Sequence, residues 1–170
     1  DLHRSHRRQR QMCIRDSIMR VIVFFIVILI CSCNSGSNKM QHHTFHNSTW
    51  HTDSVLSFNF LLKDSTALQN IEIEIRHDVD YSYQNLIFFL THDSKTDTID
   101  LKICEKNGRW NGKGIGSVRT LSYLIKEDVL FQKSKPKIKV EQAMRYGSLN
   151  RIEELNSMLS FGVVIKTRYE

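Results

Sequence analysis

Residues 70–77 read NIEIEIRH, and this octet decides the fold class. Ile71, Ile73 and Ile75 fall on one side of an extended chain, and Glu72, Glu74 and Arg76 on the other. A period of two is what a strand with one dry and one wet face requires; wound as a helix, the same residues would put isoleucine and charge on every side. The pattern recurs on both sides of the octet. In SVLSFNFLL (54–62), Leu56, Phe58, Phe60 and Leu62 share a face and Ser57 and Asn59 take the other. TIDLKIC (98–104) alternates again, QNLIFFLTH (84–92) is apolar on both faces as a central strand would be, and TLSYLI (120–125), KIKVEQ (137–142) and FGVVIKTRY (161–169) add further strands.

Between these runs lie turn-rich segments: LKDSTALQN, HDVDYSY, DSKTD, the glycine-rich EKNGRWNGKGIGS and the connector KEDVLFQKSKP. The segment AMRYGSLNRIEELNSML (143–159) has mixed character and room for one short helix. Seven or eight short strands at a spacing of roughly ten residues, with no long amphipathic helix, predict an all-β, mostly antiparallel fold. The expected form is a β-sandwich or jelly-roll-like single domain over 50–170, with an open barrel as the alternative.

Upstream the chain changes character. Val21 to Ile30 is VIVFFIVILI, ten apolar residues without a break. As a helix they span about 15 Å, half of a bilayer core of about 30 Å, too short to cross a membrane and the right length for the apolar stretch of an export signal. Met19 and Arg20 supply a start and a positive charge. Ile30-Cys31-Ser32-Cys33 places an aliphatic residue three before a cysteine and a small one next to it, which resembles the lipobox of bacterial lipoproteins. That resemblance implies a signal peptide over 19–32, cut before Cys33, whose thiol receives a diacylglyceryl group and whose new amino terminus receives a fatty acyl group such as palmitate. Two or three acyl chains hold a protein stably where one holds it only marginally. The polar stretch 33–49 is expected to be a flexible tether from the lipidated cysteine. Residues 1–18, without apolar pattern and ahead of the methionine, are expected to be a non-native or disordered extension that carries no fold.

The net charge of +6 suggests nucleic acid until its placement is considered. Six of the 24 Lys and Arg and two of the 18 Asp and Glu precede Cys33, so the chain from Cys33 onward carries only +2. No nucleic-acid partner is expected. Lys133, Lys135, Lys137 and Lys139, set around Pro136, are expected to guard an edge strand against aggregation. If Cys33 is acylated, Cys104 has no partner for a disulfide in the exported chain and is expected to be an inert thiol at a strand end.

Three constellations invite chemistry. His42, His43, His46 and His51 cluster, but in a tether nothing would orient them and HExxH is absent, so no metal is expected. GRWNGKGIG lacks the Ser or Thr and the following helix of a phosphate loop, and is expected to be a tight turn anchored by Trp110. Asp78 and Asp80 are paired carboxylates beside His77, Tyr81 and Tyr83, yet no activated nucleophile stands next to them. An inter-strand loop offering tyrosines to a partner is the favoured reading, with no catalytic residues and no cofactor.

These motifs, taken in order, resemble the GldH gliding-motility lipoprotein family of Bacteroidota. In that family an alternating strand ends in Arg and leads into Asp-Tyr-Pro-Tyr-x-Asn-Leu; here Asp80 to Leu86 matches, with Ser82 in place of proline. The family's Gly-x-Trp-x-Gly-x-Gly is reproduced by Gly108, Trp110, Gly112 and Gly114, its Glu-Gln-Ala-Met-Arg by Glu141 to Arg145, and its closing glycine strand by Phe161 to Val164. The likeness covers roughly residues 50–168. It implies a β-rich envelope lipoprotein without enzymatic activity, required for gliding and linked to type IX secretion. Possible interaction residues are then Asp80, Tyr81, Tyr83, Asn85, Trp110 and Arg145, and Cys33 is the lipidation site. The expected partners are the bilayer, reached through Cys33, and other envelope, gliding or secretion proteins. Asn34, standing where some bacteria place Asp to keep a lipoprotein in the inner membrane, favours the outer membrane facing the periplasm. The second reading is a carbohydrate- or substrate-binding sandwich, in which Tyr81, Tyr83 and Trp110 would stack on sugar rings in a concave groove.

Overall fold

The computed structural model describes residues 38–168, so residues 1–18, the signal at 19–32 and Cys33 lie outside the described residues. The described chain forms ten strands: β1 (Lys39–Thr44), β2 (Thr49–His51), β3 (Leu56–Asn59), β4 (Gln69–Asp78), β5 (Asn85–His92), β6 (Lys95–Lys102), β7 (Val118–Val129), β8 (Lys137–Gln142), β9 (Glu154–Asn156) and β10 (Met158–Thr167). The one helical element among them is a single 3-10 turn, His46–Ser48.

The strands pair as one long hairpin. β5 pairs with β6 across the Asp93-Ser94 turn, and outside it, in nested order, come β4 with β7, β3 with β8, β2 with β9 and β1 with β10, all antiparallel. Two more antiparallel ladders, β10 with β4 and β5 with β8, roll this hairpin up. The result is two four-stranded sheets ordered β1-β10-β4-β7 and β3-β8-β5-β6, with β2-β9 as a short separate ribbon. Numbering the eight main strands in chain order gives 1-8-3-6 and 2-7-4-5, the strand order of a jelly roll, which folds antiparallel strands into two sheets.

The alternation seen in the sequence sets which side of each sheet faces in. Ile71, Ile73 and Ile75 of β4 and Leu86, Phe88 and Leu90 of β5 are all fully buried. Phe161 of β10 joins the layers: its ring lies 5.3 Å from Phe88 and 6.3 Å from Phe58 of the opposite sheet, and 5.3 Å from Trp50 of the ribbon. Rings at these tilted and edge-on spacings contribute about 0.5–1.5 kcal/mol per pair beyond the area they bury. A seam bond closes one side of the sandwich. The Gln41 amide on β1 donates to the Asn59 carbonyl at 2.6 Å and accepts the Asn59 N–H at 3.0 Å, occupying both backbone groups of β3's last residue.

Four sequence expectations need correction. The tether does not run to residue 49, because Lys39–Thr44 pairs with β10 and the domain therefore begins before residue 50. An outer strand shows little apolar alternation, since one face is wet and the other is only partly covered, and this one reads KMQHHT. No helix forms in 143–159; Tyr146 and Leu149 exchange backbone bonds across a turn in which Gly147 takes φ 57°, and Glu154–Asn156 becomes β9. β7 runs twelve residues, well into the stretch expected to be a connector. Finally, β8 is an interior strand between β3 and β5, so Lys137 and Lys139 guard no edge.

Candidate interaction surface

The roll brings the three motif segments together at one end. The β4–β5 loop (79–84), the β6–β7 loop (103–117) and the β8–β9 segment (143–153) all leave the sheets there, together with the β1–β3 connection. A chain of aromatic rings links them. His77, at the end of β4, lies 4.9 Å from Trp110 and 5.6 Å from Tyr81; Tyr81 lies 5.8 Å from Tyr83, and Tyr83 lies 5.8 Å from Tyr146. The chain runs from a fully buried imidazole to a phenol that is 67% exposed.

Tyr81 anchors this arrangement from inside. It is 3% exposed, and its hydroxyl donates to the Asn85 carbonyl at 2.9 Å. Burial pushes its hydroxyl far up from the ordinary tyrosine range, so it is held neutral. Tyr81 is therefore a core residue, which corrects the expectation that it offers its face to a partner or a sugar. Asn85 likewise does structural work, its side-chain amide donating to Asp100 at 2.8 Å. Tyr83 and Trp110 are partly covered, whereas Asp80 and Arg145 are exposed.

The glycine loop is a turn, as its sequence implies. Asn111 N–H donates to the Ile103 carbonyl at 2.8 Å, Glu105 and Arg109 close a smaller turn inside it, and Lys113 pairs with Thr120. Gly112 sits at φ +84°, where a β-carbon would meet the Thr120 carbonyl oxygen at 2.3 Å. At Gly114 a β-carbon would come to 1.8 Å from the Val118 carbonyl oxygen. Only glycine lets the loop lie this close on β7. The loop's tip presents Ile115, which is 94% exposed.

The Asp78 carboxylate beside this cluster is used structurally. Asp78 accepts the Ser117 hydroxyl at 2.7 Å on one oxygen and the Asp80 N–H at 3.2 Å on the other, and these bonds hold its carboxyl below the usual range. His77 Nδ1 lies 2.8 Å from the Asp78 carbonyl, so it is the protonated nitrogen and the donor; its Nε2 is buried without a partner. Burial lowers the His77 pKa from the ordinary histidine value. Cys104, buried at the neighbouring strand end, donates to the Glu105 carbonyl.

The histidine cluster is fixed rather than free: His42 and His43 lie on β1, His46 in the 3-10 turn and His51 on β2. His43, His46 and His51 line a recess of about 380 Å³, with His51 3.8 Å from Glu154. Among the described residues no three His, Cys, Asp or Glu side chains are placed to hold a metal ion. A second recess of about 430 Å³ lies at the opposite end, between His92, Lys126 and Leu130. Neither recess is lined by Tyr81, Tyr83 or Trp110.

Sequence reasoning overlooked Tyr146, Ile115 and Leu149 as members of this end. The available signal was the pair of turns themselves: Tyr146 and Leu149 flank Gly147-Ser148, and Ile115 lies between Gly114 and Gly116, so each apolar side chain is carried out on a turn that cannot bury it.

Comparison with known proteins bears on these observations. The family described as GldH lipoprotein matches residues 37–156. A protein of Christiangramia forsetii named gliding motility lipoprotein GldH homolog is 33% identical over 161 residues, 89% of this chain and 97% of that one. Gliding motility lipoprotein GldH of Flavobacterium johnsoniae is 28% identical over 153 residues, 86% of this chain and 95% of that one. Among solved structures, dimeric latent PorU from Porphyromonas gingivalis superposes with a TM-score of 0.35 at 10% identity, over 81% of this chain and 14% of that one, an agreement too loose to support an argument. With these relatives, the jelly roll is the body of a lipid-anchored cell-envelope protein. The chain belongs to the GldH lipoprotein family.

Proposed function

We propose that this chain is a non-enzymatic interaction component of gliding-motility or type IX secretion-associated machinery. Acylated Cys33 holds it at the periplasmic face of the outer membrane, and the aromatic end of the jelly roll contacts other envelope proteins. The observation that carries the reading is the convergence of three of the four family motifs on one end, where Tyr146, Ile115 and Leu149 are exposed, Tyr83 packs against Tyr146 and buried Tyr81 packs against Trp110. Tyrosine is well suited to such contacts because it is large, amphipathic and loses little rotamer freedom on binding. A sugar-binding role is less well supported, since Tyr81 is buried and cannot stack on a ring.

Two variants test the two halves of the proposal. Cys33→Ala is expected to yield unacylated protein that washes off membranes with salt; equal acylation and retention would remove the anchor. Tyr146→Asp, in a turn where nothing is buried, is expected to leave the melting temperature unchanged and abolish gliding or secretion in a host that depends on this chain. Full function in that variant would remove the partner surface.

A further inference from the structure

Leu61, Leu68 and Leu130 are 61%, 42% and 58% exposed, and all three stand at the end of the sandwich opposite the aromatic cluster. Leu61 and Leu68 lie on the β3–β4 loop (60–68) and Leu130 on the β7–β8 loop (130–136); the two loops are tied by Leu62 N–H donating to the Ser134 carbonyl at 2.9 Å. The same loops carry Lys63, Lys133 and Lys135, all exposed and in none of the ion pairs among the described residues. Three of the nearby carboxylates are engaged, and exposed Glu127 is in none of the ion pairs among the described residues. Asp64 accepts from Thr66, Asp93 from the Gln132 N–H, and Asp128 from Arg168.

This is also the end at which β1 begins. Lys39 is opposite Ile165, next to where Thr167, Gln69 and Val129 line up across the sheet. Five residues separate Lys39 from Cys33, and a fully extended connection of that length reaches at most about 22 Å. From these observations we infer that the leucine-and-lysine end is a membrane-contact face: Leu61, Leu68 and Leu130 enter the interfacial region of the bilayer while Lys63, Lys133 and Lys135 meet anionic lipid headgroups. Exposed aliphatics ringed by unpaired lysines are the chemistry of a surface that rests on lipid, with the acyl anchor and the basic residues acting together. The domain then stands upright, its aromatic end held away from the membrane. The inference rests on the acylation of Cys33 proposed above.

The test uses the full acylated chain in vesicles of equal parts phosphatidylethanolamine and phosphatidylglycerol. An environment-sensitive fluorophore is attached after Leu61→Cys, Leu130→Cys or, at the far end, Leu149→Cys, with Cys104 protected by burial. Brominated lipid is expected to quench the labels at 61 and 130 at least about twofold more than the label at 149. Adding Lys133→Glu and Lys135→Glu, on exposed loop positions, should lessen that quenching without changing the circular-dichroism spectrum. Labels at 61 and 130 that stay as open to a water-soluble quencher as the one at 149 would overturn the inference, and would leave the leucines to a protein partner. The intact mass of the same preparation separates the two claims. An acylated chain with water-exposed leucines refutes the membrane face alone, whereas a chain without acyl mass refutes the anchor and the membrane face with it.

Discussion

The imidazole of His42 lies flat over Gly162, its partner across the β1–β10 ladder, so that a β-carbon on residue 162 would stand 2.4 Å from His42 Nδ1. On the other side of Gly162 is Glu74 of β4, 3.9 Å from the same imidazole. The glycine of the closing strand thus has a physical reason. It provides the room for an outer-strand ring to cover an interior strand, replacing the side chain that glycine lacks.

The relationship predicts a sign change. Gly162→Ala alone forces the His42 ring off the sheet and is expected to destabilise the domain by about 1 kcal/mol. In a His42→Ala background the clash is gone, and the same substitution should stabilise by about 0.5 kcal/mol, because alanine loses less backbone entropy than glycine in a strand. Urea unfolding of the four proteins of this cycle measures both values, and an unchanged effect of Gly162→Ala in the two backgrounds would show that the ring does not matter.

At the centre of the nested hairpin, Asp93 and Ser94 adopt φ 46° and φ 64°. Two consecutive left-handed residues make the turn whose twist matches a two-stranded ribbon, and glycine is favoured at its second position. Ser94→Gly is therefore expected to stabilise by about 0.5–1 kcal/mol, relief of the left-handed strain outweighing the added freedom of the unfolded chain. All the other hairpin pairs close outside this turn, so the gain should be seen in the refolding rate as well as in the melting temperature.

Acid should weaken the domain in two stages. His77 is buried, its Nε2 has no partner, and its folded pKa lies below the ordinary 6.5. Between that lowered value and 6.5 the unfolded chain binds a proton that the folded chain refuses, so stability is complete above 6.5 and falls as pH drops through the window. His92 acts in the same direction, its pKa lowered first by burial and then by Lys126. A further loss follows at lower pH, where Asp97, whose carboxyl is held down by Lys126, must be protonated. His77→Phe keeps the ring contact with Trp110 and should flatten the first stage; an unchanged slope of stability against pH between 5 and 6.5 would contradict the assignment.

Much of the fold was legible because alternation with two sheets makes a strong signal. NIEIEIRH, NLIFFLTH and FGVVIKT lie on interior strands, where core contact on one face or both selects Ile, Leu, Phe and Val. β1 was not legible, since an outer strand of His, Gln and Thr looks like a linker until its partner is known. For the same reason the lysines around Pro136 gave a false account of an edge: their spacing shows a strand with a wet face, but not which neighbours flank it. At the candidate site, the motif tyrosines were found and their roles were not. Tyr81 and Tyr83 are two residues apart in one loop, yet one is buried and the other half-covered, because Trp110, from a segment far away in the chain, joins His77 of the preceding strand in packing on Tyr81. Only tertiary structure distinguishes a brace from a contact, and only tertiary structure carries Tyr146 beside Tyr83.

The central claim is that the aromatic end is where partners bind, and photo-cross-linking in intact cells tests it most directly. A photoreactive amino acid is placed at Tyr146, at Leu149, or at Lys139 on the outer face of the other sheet, each exposed and each tolerant of substitution. The expected result is a discrete protein adduct from positions 146 and 149 that is absent from position 139 and lost when Ile115→Asp is added. Adducts of equal yield from all three positions, or from position 139 alone, would contradict it.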